Sequence, residues 1–167
     1  LGALALARQK PGAQELVLVW AGKLSEGDRK TIEGLIAHHG LQGAVRLVGF
    51  VDQAELRALY RGAVAQLFVS RYEGFGFPIV EAMAMGCPVV TSKGSSTGEV
   101  AGDAALLVDP EDHPAIADAL CSLARDEGER RRWRDRGFTR ARRFTFERMA
   151  EDATEVYRSV IARHRRR

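Results

Sequence analysis

Two glutamates, Glu73 and Glu81, flank a glycine-bearing loop near the middle of the chain and are the residues best placed to do chemistry. The letters between them, G-F-G-F-P-I-V, lead into a run in which Glu81 is the one charged side chain. Continuous hydrophobicity of this kind predicts a short helix buried against a sheet, where an unpaired carboxylate is costly. The lone charge therefore needs a partner or a function.

The start of this predicted helix, residues 78–85, is a place where negative charge is stabilised. Pro78 suits the first helical position because it has no N–H to leave unpaired. Glycines in the loop let a ligand approach the backbone, while backbone amides and the helix dipole attract phosphate. Carboxylates accept hydrogen bonds from sugar hydroxyls. The segment therefore predicts one cleft for both halves of a sugar nucleotide. The amides that precede the helix belong to Gly74, Phe75, Gly76 and Phe77.

This segment resembles the signature of retaining glycosyltransferases of the GT-B fold, glycosyltransferase family 4 in particular. That signature is two glutamates separated by seven residues around G-F-G-x-P, and Glu73 and Glu81 match it. The resemblance implies an α/β fold, a Rossmann-like parallel sheet with helices on both faces that forms the C-terminal half of the GT-B fold. It also implies that Glu81 accepts from ribose hydroxyls, that Glu73 is the catalytic candidate and holds sugar hydroxyls, and that the amides of residues 74–77 stabilise phosphate.

Further segments extend the resemblance. Residues 45–52, V-R-L-V-G-F-V-D, resemble the family's third strand and its turn, where the backbone near Val51 and Asp52 meets the nucleotide base. A helix cap is the alternative function of Asp52. Residues 95–110 resemble the loop and last strand of the family, with Glu99 as a weak candidate for donor contact. Residues 144–157 resemble its closing helix, in which the aromatic side chains are expected to pack.

Strand-like and helix-like patterns alternate along the chain. The sequence D-Q-A-E from Asp52 predicts a capping box at one helix start. The alternation predicts a parallel sheet covered by helices, with ligands at the carboxyl ends of the strands, where Glu73 falls. Strands are predicted at residues 16–21, which should be buried, and at 45–50, 66–70, 88–91 and 106–108; helices are predicted at 25–39, 52–63, 78–85 and 113–125.

Length and composition predict one compact domain. With 167 residues and 46% hydrophobic content, residues 1–167 are expected to form a single domain, with a C-terminal helical segment from about residue 128. The resemblance implies that this is the donor-binding domain. Cys87 and Cys121 show no metal-ligand spacing and are expected to be reduced thiols of a cytoplasmic protein. Nothing resembles a signal peptide or a membrane span.

Positive charge is concentrated in the C-terminal third, although the formal net charge is only +3. The arginines there alternate with acidic residues, which favours solvated helix faces over a nucleic-acid surface. No nucleic-acid partner is therefore expected. Contact of the basic tail, residues 163–167, with an anionic membrane is an open alternative, which would make the cytoplasmic protein peripheral at the membrane.

No metal and no other cofactor is expected, because the sequence has no Asp-x-Asp pair and its histidines lie at a helix end, in a loop and in the tail. The nucleotide-diphosphate sugar is expected as a substrate. Two alternatives to glycosyl transfer stay open: a non-catalytic nucleotide-sugar binding module and a nucleotide-sugar epimerase of the GT-B type. A dinucleotide-dependent dehydrogenase is disfavoured, because no G-x-G-x-x-G follows an early strand.

Two parts of the resembled enzymes have no counterpart here. One is a first strand with a loop whose Arg and Lys neutralise the diphosphate; residues 1–8 already resemble the helix that follows it, and neither Lys10 nor Lys23 matches by context. The other is the N-terminal, acceptor-binding domain. Either the chain is a fragment of a longer enzyme, or something else occupies the vacated place in the sheet. We favour a fragment, so the chain is expected to be the donor-binding part of a longer enzyme and inactive alone. A gap left by the first strand would expose two unpaired sheet edges.

Overall fold

The computed structural model describes residues 1–164, in which strands and helices alternate. The strands are β1 Leu18–Ala21, β2 Val45–Gly49, β3 Gln66–Phe68, β4 Val89–Ser92 and β5 Leu106–Val108. The helices are α1 Gly2–Arg8, α2 Glu26–His38, α3 Gln53–Gly62, α4 Phe77–Ala84, α5 Ser95–Ala101, α6 His113–Arg125, α7 Glu127–Ala141 and α8 Phe146–His164.

The strands form two parallel sheets. In the first sheet β1 pairs with β2, and Leu18 lies opposite Val45. The second sheet has the order β3-β4-β5, with Gln66 opposite Val89 and Val90 opposite Leu106. Within residues 1–164 no ladder of hydrogen bonds joins the two sheets. The expectation that a first strand is missing stays a prediction.

The second sheet carries helices on both faces. Strand β4 is buried along its whole length, and its alternate side chains point to opposite faces. Val89 packs with Ile79 of α4 and Val100 of α5. Val90 packs on the other side with residues of α1 and α6, among them Ile116. The predicted α/β architecture with covered parallel strands is thereby confirmed.

Strand β1 is much less buried than its hydrophobic sequence predicted. Val19 and Trp20 are 39% and 36% exposed. Leu18 packs with the cluster that contains Leu4 and Leu41, so part of the strand does contribute to a core. The prediction of a buried strand was wrong because, among residues 1–164, no helix packs extensively on the faces of β1.

Helix α5 lies in a segment that the sequence assigned to a loop. Its serines, threonine and glycine have low helix propensity, so tertiary contacts must stabilise it. Thr97 is fully buried, and its hydroxyl donates to the carbonyl oxygens of Ser92 at 3.0 Å and Gly94 at 2.8 Å. The helix is therefore fastened to the end of β4.

Gly98→Ala in α5 is expected to lower the free energy of unfolding by about 1–3 kcal/mol. The added methyl carbon would lie 2.7 Å from the carbonyl oxygen of Lys93, and this backbone cannot move without loosening α5 from β4. Denaturation with urea measures the change. The matched control is Gly34→Ala in α2, where no atom lies within 4 Å of the new methyl group and about 0.5–1 kcal/mol of stabilisation is expected. Equal effects at the two sites would contradict the contact argument.

Arginines of α7 fasten this helix to the rest of the domain. Arg134 Nε donates to the carbonyl oxygen of Gly86, just beyond the end of α4, at 3.1 Å. Arg140 Nε donates to the carbonyl oxygen of Val100, in the last turn of α5, at 2.8 Å. The basic C-terminal third therefore does more than form solvated faces, because some of its arginines pair with carbonyls near helix ends.

Helix α8 has no buried residue. Phe144, just before this helix, packs against the core as expected. Phe146 and Tyr157 are 80% and 71% exposed, so the expectation of packing was wrong for these two side chains. None of the helices between residues 1 and 164 combines the length and the hydrophobicity needed to cross a membrane. Of the basic tail proposed for membrane contact, residues 165–167 lie outside the described residues.

Candidate functional site

Helix α4 has one buried face and one open face. Ile79, Ala82 and Met83 are completely buried in the core. Phe77 and Glu81 lie four residues apart, hence on the same side of the helix, and both are exposed. The helical phase turns Glu81 away from the apolar packing, so its carboxylate does not carry the cost of an unpaired buried charge. Its environment is set by groups on the open face.

The start of α4 has no side-chain cap. The helix begins at Phe77, one residue before the predicted position, and Pro78 occupies its second position. The N-cap is Gly76, whose φ of 100° lies in the left-handed region that favours glycine. Within residues 1–164 no side chain hydrogen-bonds to this end as a cap. An anion would be stabilised there by the helix dipole and the terminal backbone amides.

Glu73 is half-buried in the loop between β3 and α4. Its Oε1 accepts a hydrogen bond from Ser70 Oγ at 2.8 Å. Its main-chain carbonyl oxygen accepts from Ser96 Oγ of α5 at 2.7 Å. The loop is thereby fixed at the carboxyl edge of the three-stranded sheet. Sequence reasoning did not identify either serine, although Ser70 stands only three residues before Glu73.

Aromatic rings line the glycine-bearing loop. The ring centroids of Phe75 and Phe77 are 4.8 Å apart, and Phe75 meets the edge of Phe144 at 5.8 Å. Gly74, between Glu73 and these rings, is exposed, and a side chain there would meet no atom within 4 Å. The loop therefore combines an open backbone segment with an apolar wall.

Glu81 has a neighbour that the sequence did not identify as functional. Tyr60 Oη, from α3, donates to Glu81 Oε2 at 3.4 Å, and Gln66 Nε2 of β3 donates to Tyr60 Oη, also at 3.4 Å. Burial raises the pKa of Tyr60, and the charge of Glu81 raises this pKa further. The sequence pattern placed Tyr60 only on an apolar helix face. No local pattern indicated that its hydroxyl reaches a carboxylate 21 residues away.

Val51 and Asp52 follow β2 of the other sheet. The Asp52 carboxylate accepts from the backbone N–H of Ala54 at 2.7 Å and of Glu55 at 2.8 Å, and Glu55 Oε2 accepts from the N–H of Asp52. The predicted capping box is confirmed. Capping engages both the side chain and the N–H of Asp52, and Val51 before it is half-buried. Contact of this turn with a nucleotide base stays a prediction.

Two cations stand on the carboxyl edge near Glu73, and each has an acidic partner. Arg71 Nε lies 2.5 Å from Glu111 Oε1, and Lys93 Nζ lies 3.4 Å from Asp109 Oδ2. Glu99, the weak candidate for donor contact, is exposed on α5. Within residues 1–164 no group of three or more His, Cys, Asp or Glu side chains could hold a metal ion.

Parallel strands with a glycine-bearing, acidic loop at their carboxyl edge define the class of doubly wound α/β domains, which bind ligands at that edge. The family described as "Glycosyl transferases group 1" matches residues 2–140. The chain therefore belongs to this family of glycosyltransferases.

Comparisons with individual proteins agree with the family. The O-antigen chain mannosyltransferase B of Escherichia coli is 38% identical over 117 residues, which cover 70% of this chain and 31% of that protein. The C-terminal domain of a group 1 glycosyl transferase, LpcC of Francisella tularensis, is 28% identical with a TM-score of 0.69, over 83% of this chain and 73% of that one. Anabaena HepE, crystallised with UDP-glucose, has a TM-score of 0.80 at 23% identity, over 94% of this chain and 44% of that one.

These comparisons establish the fold and show how much of each relative the chain covers. The chain matches the C-terminal domains of GT-B glycosyltransferases, as the sequence predicted. It spans about a third of the E. coli relative and less than half of the HepE chain.

Proposed function

We propose that this chain is the donor-binding part of a retaining, family 4 glycosyltransferase, which transfers a hexosyl group from a nucleotide-diphosphate sugar to an acceptor. The observation that carries the proposal is the loop of Glu73, fixed at the carboxyl edge, which leads into an uncapped helix start with Glu81 on its open face. Mannosyltransferases among the relatives and the UDP-glucose bound to HepE support the same chemistry.

Each part of the site has a distinct function in this proposal. Glu81 accepts hydrogen bonds from the ribose hydroxyls, and the backbone amides of residues 74–77 contact the diphosphate. Glu73 holds hydroxyls of the transferred sugar, next to the bond that breaks. The nucleotide base lies near the backbone of Val51. Negative charge grows on the leaving diphosphate during reaction, so the helix start stabilises the transition state more than the ground state.

Transfer with retention requires no metal or cofactor in this proposal. The bond between the anomeric carbon and the diphosphate oxygen breaks, and its electron pair stays with the diphosphate. The acceptor oxygen bonds to the anomeric carbon on the face that the diphosphate leaves, and a phosphate oxygen takes the acceptor's proton. Because this chain spans only part of its relatives, the acceptor site is assigned to an N-terminal domain of a complete enzyme. The chain alone is therefore expected to bind donor without transferring sugar.

A ligand panel tests the proposal on the 167-residue chain. The uridine, guanosine and adenosine diphosphate derivatives of glucose and of mannose are added separately. The midpoint temperature of thermal unfolding is measured for each. A ligand at about 100 times its Kd is expected to raise the midpoint by about 5–10 °C. Free glucose and mannose are the controls and should leave it unchanged. If no nucleotide sugar stabilises the chain, the proposal fails.

The same panel on the complete enzyme separates the alternatives. Transfer to an acceptor with retained configuration supports the glycosyltransferase. Tight binding without any product would indicate a binding module instead. Conversion of the donor into its epimer without an acceptor would indicate an epimerase. Either of these two results would overturn the proposed reaction while leaving the donor site in place.

A further inference from the structure

We infer that Tyr60 is a positioning residue that holds the Glu81 carboxylate for ribose recognition, and that the Gln66 amide supports it by donating a hydrogen bond to the Tyr60 oxygen. The inference rests on the proposed function and extends it to two residues outside the glycine-bearing loop. Tyr60 Oη lies 3.4 Å from Glu81 Oε2 and 3.4 Å from Gln66 Nε2. The three side chains come from α3, β3 and α4, so the contact joins three elements around the open face of α4.

The direction of the two hydrogen bonds follows from the groups themselves. An ionised carboxylate can only accept, so the single hydroxyl hydrogen of Tyr60 must point to Glu81. The oxygen of Tyr60 is then left to accept, and the NH₂ group of the Gln66 amide is the neighbour that can donate. This order also fixes the orientation of the Gln66 amide, since its carbonyl oxygen could not donate to Tyr60.

Gln66 makes this contact at a cost. Among the described residues its Oε1 is buried and has no hydrogen-bond partner. An unsatisfied buried acceptor costs about 1–3 kcal/mol. The identified hydrogen bond of the Gln66 side chain is the one to Tyr60. We therefore assign the Gln66 amide to the hydrogen bond with Tyr60 rather than to packing of β3.

Tyr60 is itself anchored. Its ring packs on the cluster formed by α4, β4 and α5, and its helix α3 starts with the capping box of Asp52 and Glu55. Burial and the nearby charge of Glu81 raise the pKa of Tyr60, so the phenol keeps its proton at physiological pH. A rigid ring with a permanent donor thus faces a carboxylate on an exposed position.

A neighbour that holds the Glu81 side chain in place favours ligand binding by this exposed glutamate. A free Glu side chain loses up to about 1.5–2 kcal/mol of rotamer entropy when it is fixed. Holding Oε2 in advance reduces this loss on binding, and the carboxylate keeps acceptor sites for ribose hydroxyls. At 3.4 Å both contacts are long, as is common for functional hydrogen bonds before the ligand arrives. The effect on affinity should therefore be moderate and specific to the ribose.

Tyr60→Phe tests the inference, because it removes the hydroxyl and keeps the ring. Titration calorimetry on the 167-residue chain is carried out with UDP, GDP and ADP and with their 2′-deoxy analogues. Affinity for the ribonucleotide that binds should fall by about 3- to 10-fold, and affinity for its 2′-deoxy analogue should fall by less. Tyr157→Phe, at an exposed tyrosine of α8, is the matched control and should change neither value.

A double-mutant cycle with Glu81→Ala, which removes the acceptor of the Tyr60 hydroxyl, separates positioning from general packing. If Tyr60 acts through the Glu81 carboxylate, the double variant should bind the ribonucleotide about as weakly as Glu81→Ala alone. Additive losses, or equal losses for ribo- and deoxyribonucleotide, would overturn the inference. If Glu81→Ala weakens binding and Tyr60→Phe does not, the inference fails while the proposed function stands. Absence of any nucleotide binding by the unaltered chain overturns both.

Discussion

Glu81→Ala is expected to weaken nucleoside diphosphate binding by about 10- to 100-fold. The substitution removes a charged acceptor that the proposed site uses for two ribose hydroxyls, and hydrogen bonds to charged groups are the stronger kind. Because Glu81 lies on the exposed face of α4 and alanine is a strong helix former, the fold should be unaffected. Titration calorimetry on the chain measures the change.

The control for Glu81→Ala is Glu33→Ala. Glu33 is also an exposed glutamate inside a helix, and its partner is Arg29 in α2. This control should leave nucleotide affinity unchanged and alter stability only slightly. If Glu81→Ala binds nucleoside diphosphate with unchanged affinity, the proposed contact of Glu81 with the ribose is wrong.

Glu73→Gln is expected to lower kcat of the complete enzyme by about 100-fold and to change nucleotide affinity by less than about 3-fold. Glutamine keeps the shape of the side chain and can still accept a hydrogen bond from Ser70, so the loop should stay in place. It loses the negative charge next to the sugar, where positive charge develops as the diphosphate leaves. The effect should therefore fall on turnover.

Single-turnover kinetics together with calorimetry separate the two quantities for Glu73→Gln. Glu111→Gln is the matched control, because Glu111 stands on the same edge of the sheet but pairs with Arg71. It should leave kcat unchanged. A loss of equal size in turnover and in nucleotide affinity would argue against a function of Glu73 on the sugar side.

Hydrophobic patterns and helix-capping residues predicted those elements whose bounds depend on neighbours in the sequence. Strand β5 and helix α6 have the bounds that the sequence indicated, and Asp112 caps α6 through a hydrogen bond from the N–H of Ala115 at 2.9 Å. The capping box of α3 was likewise predicted from Asp52 and Glu55, which lie three residues apart. These features depend on neighbours in the chain, which a sequence displays directly.

Features that depend on distant neighbours could not be predicted in this way. Helix α5 forms because Thr97 and Gly98 fit against the end of β4, although their propensities oppose a helix. The exposure of β1 depends on how little of its faces the helices cover, which is a tertiary property. The contact of Tyr60 with Glu81 arises only after α3 and α4 dock, so it leaves no spacing pattern. The sequence therefore predicted the loop that carries the site, but it did not predict the groups that orient the two carboxylates.

The divided sheet has a consequence for laboratory work with this chain. Within residues 1–164, β1 is bonded on the β2 side alone and β3 on the β4 side alone. Their remaining main-chain groups can template strand addition between copies, which concentrated samples would promote. Because the loop of Glu73 follows β3 directly, such intermolecular pairing would compete with the ligand. Affinities are therefore best determined in dilute solution, with the monomer verified by light scattering.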